Sequence, residues 1–142
     1  MQRRIAYPVF IKKDSGVYLV YVPDMEIYTE GESFEDAIEM ARDAIGLKGI
    51  DYEDDGKTLP ERSAPGDAIK KAKQDADEAF DYSDGILTFV DVDLVAYRNR
   101  VRNRAVKKNC TIPAWLSEEA ERADINFSKV LQEALMQKLH TA

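Results

Sequence analysis

The chain has 142 residues, of which 44% are hydrophobic and 33% charged, the composition of an ordinary soluble protein with one or two small domains. No apolar run approaches the roughly 20 residues of a membrane span. Met1-Gln2-Arg3-Arg4 is basic, but the alternating stretch that follows contains Pro8, unlike a signal peptide.

In chain order, Ile5 to Ile11 reads as a first strand, with Pro8 implying an edge position or a bulge. Lys13-Asp14-Ser15-Gly16 is a turn, and Val17 to Val22 a second strand hairpinned to the first. Pro23-Asp24 breaks it, and Ile27-Tyr28-Thr29 makes a short third strand before Gly31. Ser33 then caps a helix, with Asp36 three residues on completing a capping-box pattern. Phe34, Ile38, Ala41 and Ile45, with Ala37 and Ala44, form its apolar face. Gly46 weakens the helix, but the pattern runs on towards Tyr52.

Asp54-Asp55-Gly56-Lys57 ends that helix and Leu59 to Ser63 is a loop. Residues 67–80 are polar and alanine-rich, readable as a short, lightly anchored helix. Ile86 to Val92 is the last strand of this half. Three meander strands, a covering helix, an ill-defined insert and a further strand make a small α+β layer, β-β-β-α-β.

Between the halves lies Arg98-Asn99-Arg100-Val101-Arg102-Asn103-Arg104. Extended, it would project its four arginines to one side. It is either a solvated linker or a basic arm that touches phosphates, Arg102 and Arg104 above all, without reading sequence. The charge divides near here. Residues 1–97 hold 11 Lys/Arg against 22 Asp/Glu, net −11, and residues 98–142 hold 9 against 5, net +4. A basic part suits nucleic acid, and an acidic part suits a basic protein or simply keeps the domain soluble.

Ala105 to Ile112 reads as an extended segment stopped by Pro113. Alternation sets Lys107, Asn109 and Thr111 on one face and Val106, Lys108, Cys110 and Ile112 on the other. The first face carries a cation, an amide and a hydroxyl, groups able to hydrogen-bond base edges in a major groove. The second is mostly apolar. Two helical runs follow, Ala114 to Ala123 and Phe127 to Leu139, the latter capped by Asn126 or Ser128. Phe127, Leu131, Leu135 and Leu139 recur at four-residue steps, with Val130 and Ala134 filling that face; Leu116, Ala120 and Ala123 form a thinner stripe. So short a stretch cannot bury these alone, and a lone strand is unstable. Two copies pairing strands and interlocking helices would remove both deficits, with Cys110, Ile112, Leu116, Phe127, Val130, Leu131, Ala134 and Leu135 in the shared core.

One cysteine excludes an internal disulfide and suits a reducing cytoplasm. With no histidine nearby in sequence, Cys110 is expected to be a packed thiol and not a nucleophile. His140, the lone histidine, is expected to be frayed surface. No phosphate-cradling glycine loop, zinc spacing or nucleophile–histidine pair appears. Neither metal nor cofactor is expected.

Asn109-Cys110-Thr111-Ile112-Pro113-Ala114-Trp115-Leu116, followed by Ile125 to Leu135, resembles a ribbon-helix-helix DNA-binding domain of the kind fused to HicB-type antitoxins. The resemblance implies a dimer whose two-stranded ribbon enters the major groove, with Lys107, Asn109 and Thr111 reading bases. It also implies that Asn126, Phe127, Ser128 and Lys129, opening the second helix, grip phosphate. Gly16-Val17-Tyr18-Leu19-Val20, Pro23-Asp24, Thr29 to Ala37 and Leu59-Pro60 likewise resemble the HicB domain, a truncated RNase H-like fold. Residues 1–96 would then bind toxin, 97–104 would be a basic linker, and 105–142 the DNA-binding domain.

An RNase H-like fold raises the question of metal-dependent cleavage, for which Asp24, Asp91 and Asp93 are the candidate carboxylates. Nothing in their spacing requires them to meet, and the truncated family fold lacks the usual active site, so no enzyme is expected. The family implies an antitoxin against a small basic HicA-like RNA-cleaving toxin. It also implies an autorepressor that binds operator DNA as a dimer or as a tetramer bridged through the amino-terminal domains. Two other readings stay open: a stand-alone ribbon-helix-helix repressor whose acidic domain senses a small molecule or oligomerises, and a protein-interaction module with no DNA role.

Overall fold

The computed structural model describes residues 3–78 and 80–140. The chain divides into two compact units, Met1–Arg104 and Ala105–Ala142.

In the first unit, β1 (Arg4–Asp14), β2 (Val17–Val22), β3 (Ile27–Gly31) and β4 (Ile86–Asp93) form an antiparallel sheet in the order β3-β2-β1-β4. The β1–β2 turn is two residues long, with Asp14 opposite Val17. Ser15 and Gly16 both take positive φ, 50° and 84°, the conformation whose twist matches a hairpin. Pro8 neither lies on an edge strand nor marks a bulge: β1 is an inner strand with Pro8 opposite Phe89. Its β2-side pairing begins only at Phe10, so the missing Pro8 amide falls where β2 has already ended.

Alternation along β1 sends Tyr7, Val9 and Ile11 to one face and Phe10 to the other. The first face meets α1 (Phe34–Asp54), which buries Ala37, Ala41, Ile45 and Ile50 against it. The Ser33 hydroxyl accepts from the Asp36 amide at 3.0 Å, and the Asp36 carboxylate accepts from the Glu32 amide at 2.9 Å. These two bonds satisfy donors at the helix mouth. The helix runs through Gly46 and Gly49 because both seat a neighbour. A Cβ on Gly46 would lie 2.7 Å from the Tyr97 ring, and one on Gly49 2.9 Å from a Leu94 methyl.

The opposite face is also covered, so this unit is a sheet between helical layers and not one covered layer. In α2 (Pro65–Gln74), Ala68 and Ala72 bury against Phe10 and Tyr21, joined by Ile69, Tyr82 and Leu87. The loop before it is tied down by Asp24, whose carboxylate accepts from the Ser63 amide at 2.9 Å and from its hydroxyl, and by the Tyr7 hydroxyl, which donates to the Pro60 carbonyl at 2.6 Å.

The expected basic linker is instead helix α3 (Leu94–Arg102). Asp93 caps it, accepting from the Val95 and Ala96 amides at 3.1 and 3.2 Å. Leu94 and Tyr97 are buried, Val101 packs beside them, and the Tyr97 hydroxyl donates to Asp43 at 2.8 Å.

In the second unit residues 105–113, expected to be extended, have no regular secondary structure, and α4 (Ala114–Arg122) and α5 (Phe127–Lys138) follow. Between the helices Asp124 takes φ 57°. Its amide bonds the Glu121 carbonyl at 3.0 Å while the Ile125 amide reaches back to Ala120 at 3.1 Å, the paired bonds that close a helix C-terminus. The Asn126 side chain accepts from the Lys129 amide at 3.1 Å and opens α5. Only Ile125 separates these two caps, so the corner is tight. Among the described residues no helix is long and apolar enough to cross a membrane.

Candidate functional site

In the second unit Lys107, Asn109 and Thr111 lie exposed on the irregular segment before α4. With no strand beside it in the single chain, alternation remains a property of the sequence there. Asn126 is confirmed as the α5 cap, leaving the Phe127 and Ser128 amides at the helix mouth beside Lys129. The mouth is the positive end of the helix dipole and suits an anion.

Neither α4 nor α5 buries a residue. Phe127 is 45% exposed, Val130 50%, Leu131 38% and Leu135 52%. Ile112 and Leu116 are exposed as well, and so is Cys110. Within one chain Cys110 is therefore not a packed thiol, because the segment carrying it has nothing to pack against. An apolar stripe this long on a unit this small is an interaction surface.

The arginines do not form one row. Arg98 bridges Asp54 at 2.9 Å and Glu53 at 3.4 Å. The Arg100 guanidinium lies 5.1 Å from the Tyr97 ring centroid. Arg102 closes α3 and Arg104 follows it, both exposed. Arg98 thus ties α3 to α1, while Arg100 stacks on a ring of its own helix.

The three carboxylates considered for catalysis are each engaged separately. Asp24 ties the Ser63 loop, Asp93 caps α3, and Asp91 pairs with Arg4 at 3.1 Å and Arg42 at 3.8 Å. Three backbone amides bonding Asp93, that of Ala96 foremost and then those of Arg3 and Val95, hold its carboxyl below the usual range. Among the described residues no group of three or more His, Cys, Asp or Glu is placed to hold a metal ion.

An aromatic cluster on the first unit is not announced by the sequence. Tyr21 and Tyr28 face each other across β2 and β3 with ring centroids 4.8 Å apart and planes at 16°. Tyr82 lies 5.2 Å from Tyr21 and 5.9 Å from Tyr28, and Phe80 lies 4.5 Å from Tyr82. The Tyr21 hydroxyl donates to Asp75. Burial first, and then this carboxylate, push Tyr21 far above the ordinary tyrosine value, so it stays neutral. The available signal was period-two placement of Tyr21 and Tyr28 on facing strands, but the loop that brings Phe80 and Tyr82 carries no such period.

Three solved structures share this architecture. A chain of the toxin–antitoxin complex from Streptococcus pneumoniae is 26% identical, with a TM-score of 0.54 over 96% of this chain and 99% of that one. The antitoxin HicB3 crystal structure is also 26% identical, with a TM-score of 0.50 over 97% of this chain and 100% of that one. The Burkholderia pseudomallei antitoxin HicB is alike in fold, at 23% identity and a TM-score of 0.50 over 95% of this chain and 98% of that one. No curated relative matches the sequence. The model of the HicB-like antitoxin of bacterial toxin–antitoxin systems matches residues 7–135. With that match spanning nearly its whole length, the chain belongs to the HicB-like antitoxin family.

Proposed function

We propose that this antitoxin neutralises a small basic, HicA-like, RNA-cleaving toxin by direct binding through its acidic first unit. On the same reading residues 105–142 form a ribbon-helix-helix that dimerises, binds operator DNA and autorepresses the operon in the cytoplasm. Tetramers form where amino-terminal units bridge two dimers. The observation that carries this reading is the second unit's unburied stripe, Phe127, Val130, Leu131 and Leu135, beside a segment, 105–113, that forms no regular structure in the single chain. A second copy would satisfy both, and the paired segments would present Lys107, Asn109 and Thr111 together as a ribbon. The similar chain from a toxin–antitoxin complex supports a protein partner for the rest.

The test is a native pull-down of the tagged chain from its own cells, with co-purifying proteins identified by mass. Recovery of a stoichiometric small basic protein that arrests growth when expressed alone is the expected result. DNA without such a protein would refute the antitoxin reading and leave a stand-alone repressor. For the operator, Asn109→Ala should weaken specific binding by about 1–3 kcal/mol, the scale of one base-reading interaction. An equal loss on every DNA sequence would demote Asn109 to positioning.

A further inference from the structure

The first unit presents an aromatic cluster at one edge of its sheet. Strand β3 ends the sheet, so one of its edges lacks a partner strand among the described residues. Ile27 and Gly31 turn into the core, while Glu26, Tyr28 and Glu30 turn outward. Tyr28 is 60% exposed, although its ring lies on the cluster of Tyr21, Tyr82 and Phe80. The segment 75–84 that brings up two of those rings carries Asp75, Asp77, Glu78, Asp81 and Asp84, and neither lysine nor arginine.

The cluster already accepts one cation. The Lys12 ammonium lies 4.5 Å from the Phe80 ring centroid, held by Asp84 at 2.7 Å and the Asp81 carbonyl at 2.8 Å. Lys71, at the margin, is paired with Asp75 at 3.5 Å. An aromatic surface with Asp75 on Tyr21 and Glu30 beside Tyr28 on the same strand suits lysine and arginine side chains, which stack on rings and pair with acids. Tyrosine is also the residue type on which binding energy concentrates at protein interfaces. Glutamates flanking Tyr28 on the sheet edge discourage a second acidic copy from pairing there, while the same charge attracts a basic partner.

We infer that the Tyr28 face, with Glu26, Glu30 and the carboxylates of 75–84 around it, is the docking surface for a basic protein, the toxin. This rests on the antitoxin reading above and adds the place of binding.

The test titrates the small basic protein retained by the tagged wild-type chain against full-length variants. Tyr28→Ala should weaken binding roughly tenfold or more. Glu30→Lys, which leaves the rings untouched, should weaken it several-fold and make it less sensitive to salt. Met40→Ala, on α1 across the sheet, should leave it unchanged. Wild-type affinity in both Tyr28→Ala and Glu30→Lys would overturn the surface and spare the antitoxin reading. Should Tyr28→Ala not fold, Glu30→Lys decides alone. If the wild-type chain retains no basic protein, the antitoxin reading fails and this surface loses its occupant with it.

Discussion

The seam between α1 and α3 offers a test in which one substitution should change sign. Gly46 sits mid-helix, where alanine would be favoured by about 1 kcal/mol. Its new methyl, however, would lie 2.7–2.9 Å from three atoms of the Tyr97 ring. That ring is 4% exposed and bonded through its hydroxyl to Asp43, so it cannot swing aside cheaply. Overpacking of this kind typically costs about 1–3 kcal/mol. Gly46→Ala should therefore lower stability by about 1 kcal/mol in the natural chain. In a Tyr97→Ala background the obstruction is gone, and the same substitution should raise stability by about 1 kcal/mol. The coupling of about 2 kcal/mol is within the range for residues that touch.

Trp115, the sole tryptophan, belongs to the second unit, so its fluorescence would follow the wrong part of the chain. Hydrogen exchange of the slowest β1 and β2 amides reports opening of the first unit directly. Equal stabilisation by Gly46→Ala in both backgrounds would refute the argument, because it would mean that Tyr97 does not rest on Gly46 in solution.

Three further expectations follow from the geometry. Phe127→Ala should dissolve the proposed dimer in analytical ultracentrifugation, since truncating an aromatic side chain buried in a shared core costs about 3–5 kcal/mol; unchanged sedimentation would remove α5 from that core. Arg102→Ala with Arg104→Ala should flatten the salt dependence of operator binding by about 0.9 for each phosphate that is no longer neutralised, and an unchanged slope would leave both as solvated charges. The Tyr97 hydroxyl is pushed up to about 12, by burial first and then by Asp43. The folded chain keeps this proton where the unfolded chain, at 10.0, releases it. The stability it contributes is complete below pH 10 and lost as pH rises through 12. Tyr97→Phe should shrink the fall in unfolding free energy between about pH 9 and about pH 11, and an equally steep fall would assign it to other tyrosines.

Local signals made much of the first unit legible. Ser15-Gly16 between two apolar runs fixed the hairpin, and Ser33 with Asp36 placed the start of α1. The far end of α1 was less clear because propensity penalises glycine, and what keeps Gly46 and Gly49 in the helix is a neighbour far along the chain, Tyr97 for one and Leu94 for the other. Pro8 misled for a similar reason: a residue that cannot pair on both sides suggests an outer strand, but a short β2 leaves part of an inner strand unpaired. The α2 layer was faint because it buries only two alanines, Ala68 and Ala72, and two methyl groups make a weak stripe. The aromatic face assembles from β2, β3 and a loop, so no single window of sequence contains it.

The arginines show how a wrong period propagates into a wrong assignment of charge. At spacing two, an extended chain puts Arg98, Arg100, Arg102 and Arg104 on one side; a helix turns by about 200° between successive members and divides them. The helical signal was present in Asp93 as a cap and in Leu94, Tyr97 and Val101 at helical spacing, and their burial outweighs the arginine rhythm. Once α3 belongs to the first unit, so does the positive excess. Residues 105–142 hold Lys107, Lys108, Arg122, Lys129 and Lys138 against Glu118, Glu119, Glu121, Asp124 and Glu133, five against five. A neutral unit cannot hold DNA by bulk charge, so the proposed reader depends on where its charges sit. Four of the five acids lie on α4 and the corner after it, whereas Lys107 and Lys108 lie on the segment before α4 and Lys129 in the first turn of α5. Three of the five cations therefore lie where DNA contact is proposed, Arg122 sits with the acids on α4, and Lys138 closes α5. Segregation of this kind lets a neutral unit approach phosphates from one side only, which fixes orientation before any base is read.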